Sequence, residues 1–323
     1  MQMDGDIAER YRDFAAYAEG DSDCFVEWAL GVAGDPEVHD WLAVLPRGKQ
    51  QPNLVFAAAR WHGAQAPAPY AELKRVLRES GNDVLATIRD QATQTNEVGR
   101  LATLVPVFAR IEAEDGPLSL IEVGASAGLC LYPDRYDYAW PHLGALGGTG
   151  GPTLTADATG QLPVPARHPE IAWRGGVDLN PLDVRDEDAM AWLTNLVWPE
   201  QDDRRTRLRE AVAVARQDPP TIVRGDLAVE LPGLVRRAAE HGAPVVFHSA
   251  VIAYLDDEAR QHFHDAMTDL VAAGTVRWVS NEAPRVLPGV THGLDVPSGR
   301  FVLGLDGRPV ALTHGHGHAI HWL

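Results

Sequence analysis

The stretch LIEVGASAGLCLYPDRYDY, Leu120 to Tyr138, sets an apolar run, an acid and the smallest residues side by side. Leu118 to Val123 (LSLIEV) is short, apolar and bounded by glycines, which predicts a buried strand. Gly124, Ala125, Ser126, Ala127 and Gly128 follow it directly. Glycines there allow backbone conformations closed to other residues and a close approach to a ligand. Ligands of open α/β sheets bind beyond the carboxyl ends of the strands. The stretch therefore reads as the first strand of such a sheet, with Glu122 at its ligand-facing end. A tight strand-to-helix turn without a ligand is the other reading of the same residues.

Outward from this strand the texture differs on the two sides. Before it, DIAERYRDFAAYAEG, DCFVEWALGVA, DPEVHDWLAVL, NLVFAAARWHG, AELKRVLRES and DVLATIRDQATQ all carry helical periodicity. Asp35 reads as a helix N-cap with Pro36 in the first turn, and Trp28, Trp41 and Trp61 as core residues on apolar faces. NEVGRLATLVPVFARIEAE predicts one long helix, kinked at Pro106. After it, IAWRGGVDL, TIVRGD, PVVFHSA and VRWVSNE are strand-like runs without polar alternation, separated by helical patterns such as DEDAMAWLTNLVW. That alternation predicts a mostly parallel sheet covered on both faces. RFVLGLDGRPVALT predicts a closing antiparallel hairpin around Asp306-Gly307. The expected fold is α/β: a Rossmann-like sheet of the class I methyltransferase type over residues 116–323, after an all-helical domain over 1–115. Residues 136–172, rich in Gly and Pro, read as an insertion with a short hairpin of its own, packed over the cofactor end of the sheet.

Composition sets the outer limits. The 323 residues are 45% hydrophobic and 23% charged, with a formal net charge of −17, a surface that repels phosphate backbones and argues against nucleic acid as a partner. Two cysteines, Cys24 and Cys130, in no CxxC pair, fit a reducing cytosol. The opening MQMDGDIAER is acidic and unlike a signal peptide, and no apolar run approaches the roughly 18 residues of a membrane span. A cytoplasmic protein acting on a small molecule is expected, with homodimerisation left open.

The loop chemistry narrows the ligand. Its spacing is not G-x-G-x-x-G, and an acid precedes it, whereas a dinucleotide needs exposed N–H groups for its pyrophosphate. S-adenosylmethionine carries a cationic amino acid end, a ribose and no phosphate. Glu122 suits that cation, and small residues make room. Asp178 ends the second strand, where an acid can accept from ribose hydroxyls. Asp226 ends the third, either meeting the adenine amino group or capping the next helix.

TQTNEVGR, EVGASAGLCLYPDRYDY, WRGGVDLNPLDV, LVWPEQ, DPPTIVRGD and VVFHSAVIAYL together resemble the DUF2332 family, uncharacterised proteins common in actinobacteria. The likeness runs through nearly the whole chain. That family is similar to S-adenosylmethionine-dependent methyltransferases in its core. The resemblance implies Glu122, Gly124, Ser126 and Gly128 in the cofactor loop, Asp178 at the ribose and Asp226 at the base.

Candidate chemistry follows. His248, at the end of the fourth strand, has the titration range of a base and borders the cofactor; a core histidine bonded to backbone is the plainer reading. Glu282, ending the fifth strand, either binds a cationic group, acts as a base or caps. Arg100 either grips a cofactor or substrate carboxylate or makes an interdomain salt bridge. Asn96 reads as a helix cap with Glu97 in the first turn. Gln94, Asn96, Tyr132, Arg135 and Tyr254 are the expected substrate contacts. The alternating His314, His316 and His318 would share one strand face, but glycines separate them, so a polar strand end is preferred and no metal is assigned. The expected activity is S-adenosylmethionine-dependent methyl transfer. Intramolecular displacement at the sulfonium and a non-catalytic binding protein are the alternatives.

Overall fold

Two separate hydrophobic clusters organise the chain. The computed structural model describes residues 6–323; the first five, part of the acidic opening, lie outside the described residues. One unit holds the chain up to residue 95 together with 187–209, and the other holds 96–186 and 210–323. The division thus falls at 95, not near 115, and the helical unit is discontinuous.

The first unit contains α1 (Ile7–Ala18), α2 (Asp23–Ala33), α3 (Pro36–Ala43), α4 (Pro52–Trp61), α5 (Tyr70–Glu79), α6 (Gly81–Asp90) and α8 (Glu187–Asn195). Phe14, Phe25, Trp28 and Phe56 meet in edge and tilted contacts, and Trp198 of the later segment joins them. Glu200 accepts from the amide of Cys24 at 2.9 Å, at the start of α2. The guanidinium of Arg60 donates to the carbonyls of Asn195 (2.9 Å) and Val197 (2.8 Å). DEDAMAWLTNLVW therefore belongs with these helices and not against the sheet, because its two tryptophans complete an aromatic core. Trp28 is fully buried, Trp41 is packed against the cluster, and Trp61 is 42% exposed. Asp35 stands at the N-cap of α3 but makes no cap bond; its carboxylate accepts from the Tyr70 hydroxyl and from Lys74.

The second unit is built on β1 (Leu118–Val123), buried at all six positions. Such burial requires apolar residues toward both faces, as the sequence supplies. β1 runs parallel to β6 (Ile171–Asp178) and β8 (Ala243–Ser249); β7 (Thr221–Arg224) and β9 (Arg277–Glu282) extend the parallel set. In space these five strands run β7-β6-β1-β8-β9, the doubly wound order, with its switch point between β1 and β8. β10 (Arg300–Leu305), β11 (Arg308–His314) and β12 (Ala319–Trp322) continue antiparallel. The β10–β11 turn has Asp306 and Gly307 both at positive φ, as a two-residue primed turn demands. α7 (Leu101–Asp115) packs on β1, after a 3-10 turn over Val98–Arg100, so the helix expected from Asn96 starts five residues later. α9 (Asp202–Gln217) leads to β7, α10 (Leu227–Ala238) and α11 (Asp257–Ala272) flank the sheet strands, and α12 (Pro288–Thr291) follows β9.

The insertion forms β2 (Asp137–Trp140), β3 (Gly144–Leu146) and β4 (Thr153–Thr155) in a small sheet of order β3-β2-β4, with β2 and β3 antiparallel. β5 (Asp157–Thr159) then pairs with β12 at the far edge of the nine-stranded sheet. The indole of Trp140 donates to the Ala102 carbonyl at 2.8 Å, tying the insertion to α7. Among the described residues no helix is long and apolar enough to cross a membrane.

Candidate functional site

The carboxyl ends of β1 and β8 meet at the switch point, where the backbone is unusual on both sides. Ser126 (φ 51°) and Ala250 (φ 56°) are left-handed without being glycine, a conformation that costs energy and clusters at functional sites. Glu122 is 7% exposed and among the described residues its Oε2 has no hydrogen-bond partner; the Ser126 hydroxyl, also buried, has none among them either. Burial, with the Asp178 carboxylate adding to it, holds the Glu122 carboxyl well above the usual range, against the pull of Arg100 and a hydrogen bond from the Cys130 thiol. Burial also pushes the Cys130 thiol well up, and Glu122 reinforces the effect.

The small residues of the loop make room chiefly for the protein itself. A Cβ on Gly124 would come within 2.5 Å of the Val251 side chain, and one on Gly128 within 2.7 Å of Pro220. Asp178 is used to hold the loop: its Oδ2 accepts from the Ser126 amide and its Oδ1 from the Asn180 amide, both at 2.7 Å. Asp226 is the N-cap of α10, accepting from the Ala228 amide at 2.8 Å. Each Asp178 oxygen retains a further lone pair, and the residue is only half-buried, so it can still accept from a ligand.

His248 is fully buried and both ring nitrogens are engaged. The Trp278 indole, which can only donate, gives its N–H to Nε2 at 3.1 Å; Nδ1 then donates to Glu282 Oε1 at 2.8 Å. That arrangement leaves no nitrogen for a substrate proton, so His248 is not placed as a general base. Glu282 Oε1 also accepts from the amides of Val251 and Ile252. The carboxylate fixes the turn after β8 and does not face a substrate through that oxygen; its buried Oε2 has no partner among the described residues.

Arg100 donates from Nε to the Gly315 carbonyl and from Nη1 to the Ser249 carbonyl, both at 2.8 Å. It joins the turn before β12 to the end of β8 and lies in the field of Glu122. Glu97 caps the 3-10 turn through the Gly99 amide, whereas Asn96 reaches the Leu129 amide at 2.8 Å and clamps the loop. Tyr132 is buried beneath Arg174, its hydroxyl donating to the Asp218 carbonyl at 2.6 Å, so it supports the fold. Arg135 is exposed beside Asp134. Tyr254 is 87% exposed, so it is not packed under a helix. Gln94 is half-buried within the first unit. β11 ends at His314, so the three histidines turn with the chain and do not share a strand face; the rings of His314 and His318 stack at 3.5 Å.

Three participants were not read from the sequence: Trp278, Val251 and a buried Asn281 that accepts from Thr313 (2.7 Å) and donates to Ser249 Oγ (2.9 Å). Ser280-Asn281-Glu282, three polar residues closing an apolar strand, was the available signal for the last. A family model described as "Uncharacterized protein conserved in bacteria (DUF2332)" matches residues 8–322, nearly the whole chain. The chain belongs to the DUF2332 family. Neither the curated proteins nor the solved structures contain a match to it.

Proposed function

We propose that this chain is an S-adenosylmethionine-dependent enzyme acting on a small molecule, with the cofactor at the β1/β8 switch point. The observation that carries the reading is Glu122: a buried carboxyl with one oxygen lacking any partner among the described residues, at the end of the middle parallel strand, whose following loop and whose neighbour's following turn hold the left-handed residues Ser126 and Ala250. A cation supplied by a ligand is what such a carboxyl lacks. The donor set fits the group at Glu122 and at Asp178, whose spare lone pairs suit ribose hydroxyls. It does not fit at Gly124, whose space Val251 already fills. When bound, the group would supply an electrophilic methyl on a sulfonium. The chain's own part is to orient and desolvate: Asp178 and Asn96 clamp the loop, and Arg100 ties the turn before β12 to the end of β8.

The engaged ring of His248 favours chemistry that needs no proton removed by that residue. This supports methyl transfer to a nucleophile that carries no obligatory proton, and equally the second reading, intramolecular displacement at the sulfonium. Thermal denaturation with the cofactor tests the common premise. A ligand at a hundredfold excess over its Kd should stabilise the native state by about 2.7 kcal/mol, and Glu122→Ala should abolish the gain. A shift with NAD in place of S-adenosylmethionine, or with neither, would refute the assignment. Formation of S-adenosylhomocysteine or of methylthioadenosine separates the two chemistries.

A further inference from the structure

Most polar side chains at the carboxyl edge of the sheet are consumed by the protein, but one group is not. Between α11 and the segment following β9 lies a cavity of about 340 Å³, within the range of small-molecule sites. Asp257, Arg260, Gln261 and His264 line one wall; their spacing of three and four residues puts them on one face of the helix. Arg285 to Gly289 form the other, with Val286 and Leu287 buried beneath.

Arg260 is pinned by the carbonyls of Ile252 (3.3 Å) and Ala253 (2.9 Å) and by Asp257 (3.1 Å). Three of its five N–H donors are so used, and two remain. Among the described residues Arg285 has no hydrogen bond or ion pair. His264 meets Asp265 through Nδ1 at 3.5 Å, and its Nε2 has no partner among them. A Cβ on Gly289 would lie 2.6 Å from that Nε2, so the glycine is what lets the imidazole stand at the wall. Among the residues lining the cavity, Arg260 and Arg285 carry guanidinium groups and Asp257 the one carboxylate, on a chain of net charge −17.

We propose that this cavity binds a small anion, a carboxylate- or phosphate-bearing molecule of metabolite size, gripped by Arg285 and the remaining donors of Arg260, with His264 Nε2 at its edge. Guanidinium forks match both anions bidentately. The site rests on its own residues and stands apart from the cofactor reading.

Titration calorimetry of the full chain with inorganic phosphate and with malonate, at constant ionic strength, tests it. Saturable one-to-one binding of at least one anion is expected, with phosphate preference marking a phosphate ester and malonate preference a carboxylate. Arg285→Gln should weaken binding at least tenfold while leaving the unliganded melting temperature unchanged, since Arg285 is exposed and makes no hydrogen bond or ion pair among the described residues. Gly289→Ala, which displaces His264, should weaken it as well. No saturable binding of either anion, or wild-type affinity in Arg285→Gln, would overturn the proposal. Retention of the S-adenosylmethionine shift in Arg285→Gln, and of anion binding in Glu122→Ala, would keep the two assignments separable.

Discussion

Glu122 occupies a place where a carboxylate is costly. Burial first, and the Asp178 charge second, raise its folded pKa well above the usual value, while the unfolded chain keeps a value near 4.3. The folded state therefore holds the proton more tightly. This group favours folding below the unfolded pKa and loses that contribution as pH climbs through the raised folded one. Glu122→Gln removes the titration while keeping the shape. The variant should melt close to wild type near pH 4 and above it at pH 8, by at least 2–4 °C, the shift expected for about 1 kcal/mol. A melting difference that does not change with pH would refute this account. Spacing alone revealed that an acid ends each of the first three strands; what each acid does depends on neighbours that sequence does not bring together. Asp178 meets an amide 52 positions away, and His248 is closed off by Trp278, 30 positions on.

At the scale of elements, the β1 loop and the turn after β8 are fitted to one another. Gly124 has φ 69° and lies against Val251, so a side chain there meets two separate penalties. Strain in the left-handed region costs roughly 1 kcal/mol, and overpacking adds about 1–3 kcal/mol. Gly124→Ala should lose about 2–4 kcal/mol in urea denaturation, and Val251→Ala should restore the steric share but not the strain, giving a coupling of about 0.5–3 kcal/mol. Strict additivity of the two substitutions would contradict the fit. The glycines of this loop were legible as marks of a close approach, yet not what approaches; a ligand and a neighbouring valine ask for the same small residue. The parallel strands and the Asp306-Gly307 hairpin were legible for a firmer reason, since buried apolar runs and a two-residue turn leave few other conformations. The small sheet of the insertion was not: three-residue strands are too short to show periodicity, and β5 pairs with β12, more than 150 positions away.

At the scale of the whole molecule, the change of texture near residue 117 marks where the sheet begins and not where the helical unit ends. α7 is helical in pattern but buried from Leu101 to Phe108, because it covers β1; the helical unit takes back 187–209 instead. The reason lies in aromatic and polar complementarity that no local pattern shows. Trp192 and Trp198 enter the core of α1 to α6, Glu200 meets the start of α2, and Arg60, its pKa lowered to about 10 by burial, finds its acceptors in Asn195 and Val197. A fragment of residues 1–115 would leave that half-buried guanidinium without its two carbonyl acceptors and the face of α7 without its strand. Uncompensated buried charge and lost aromatic packing each cost several kcal/mol, comparable with the whole stability of a small domain. The fragment should therefore show weak near-UV circular dichroism and bind a hydrophobic dye, as loosely packed states do. A chain carrying residues 1–95 joined to 187–209 through a flexible Gly/Ser linker should regain a cooperative melt. Native-like near-UV signal from 1–115 alone would show that the later segment is dispensable and that the helical unit is, after all, contiguous in sequence.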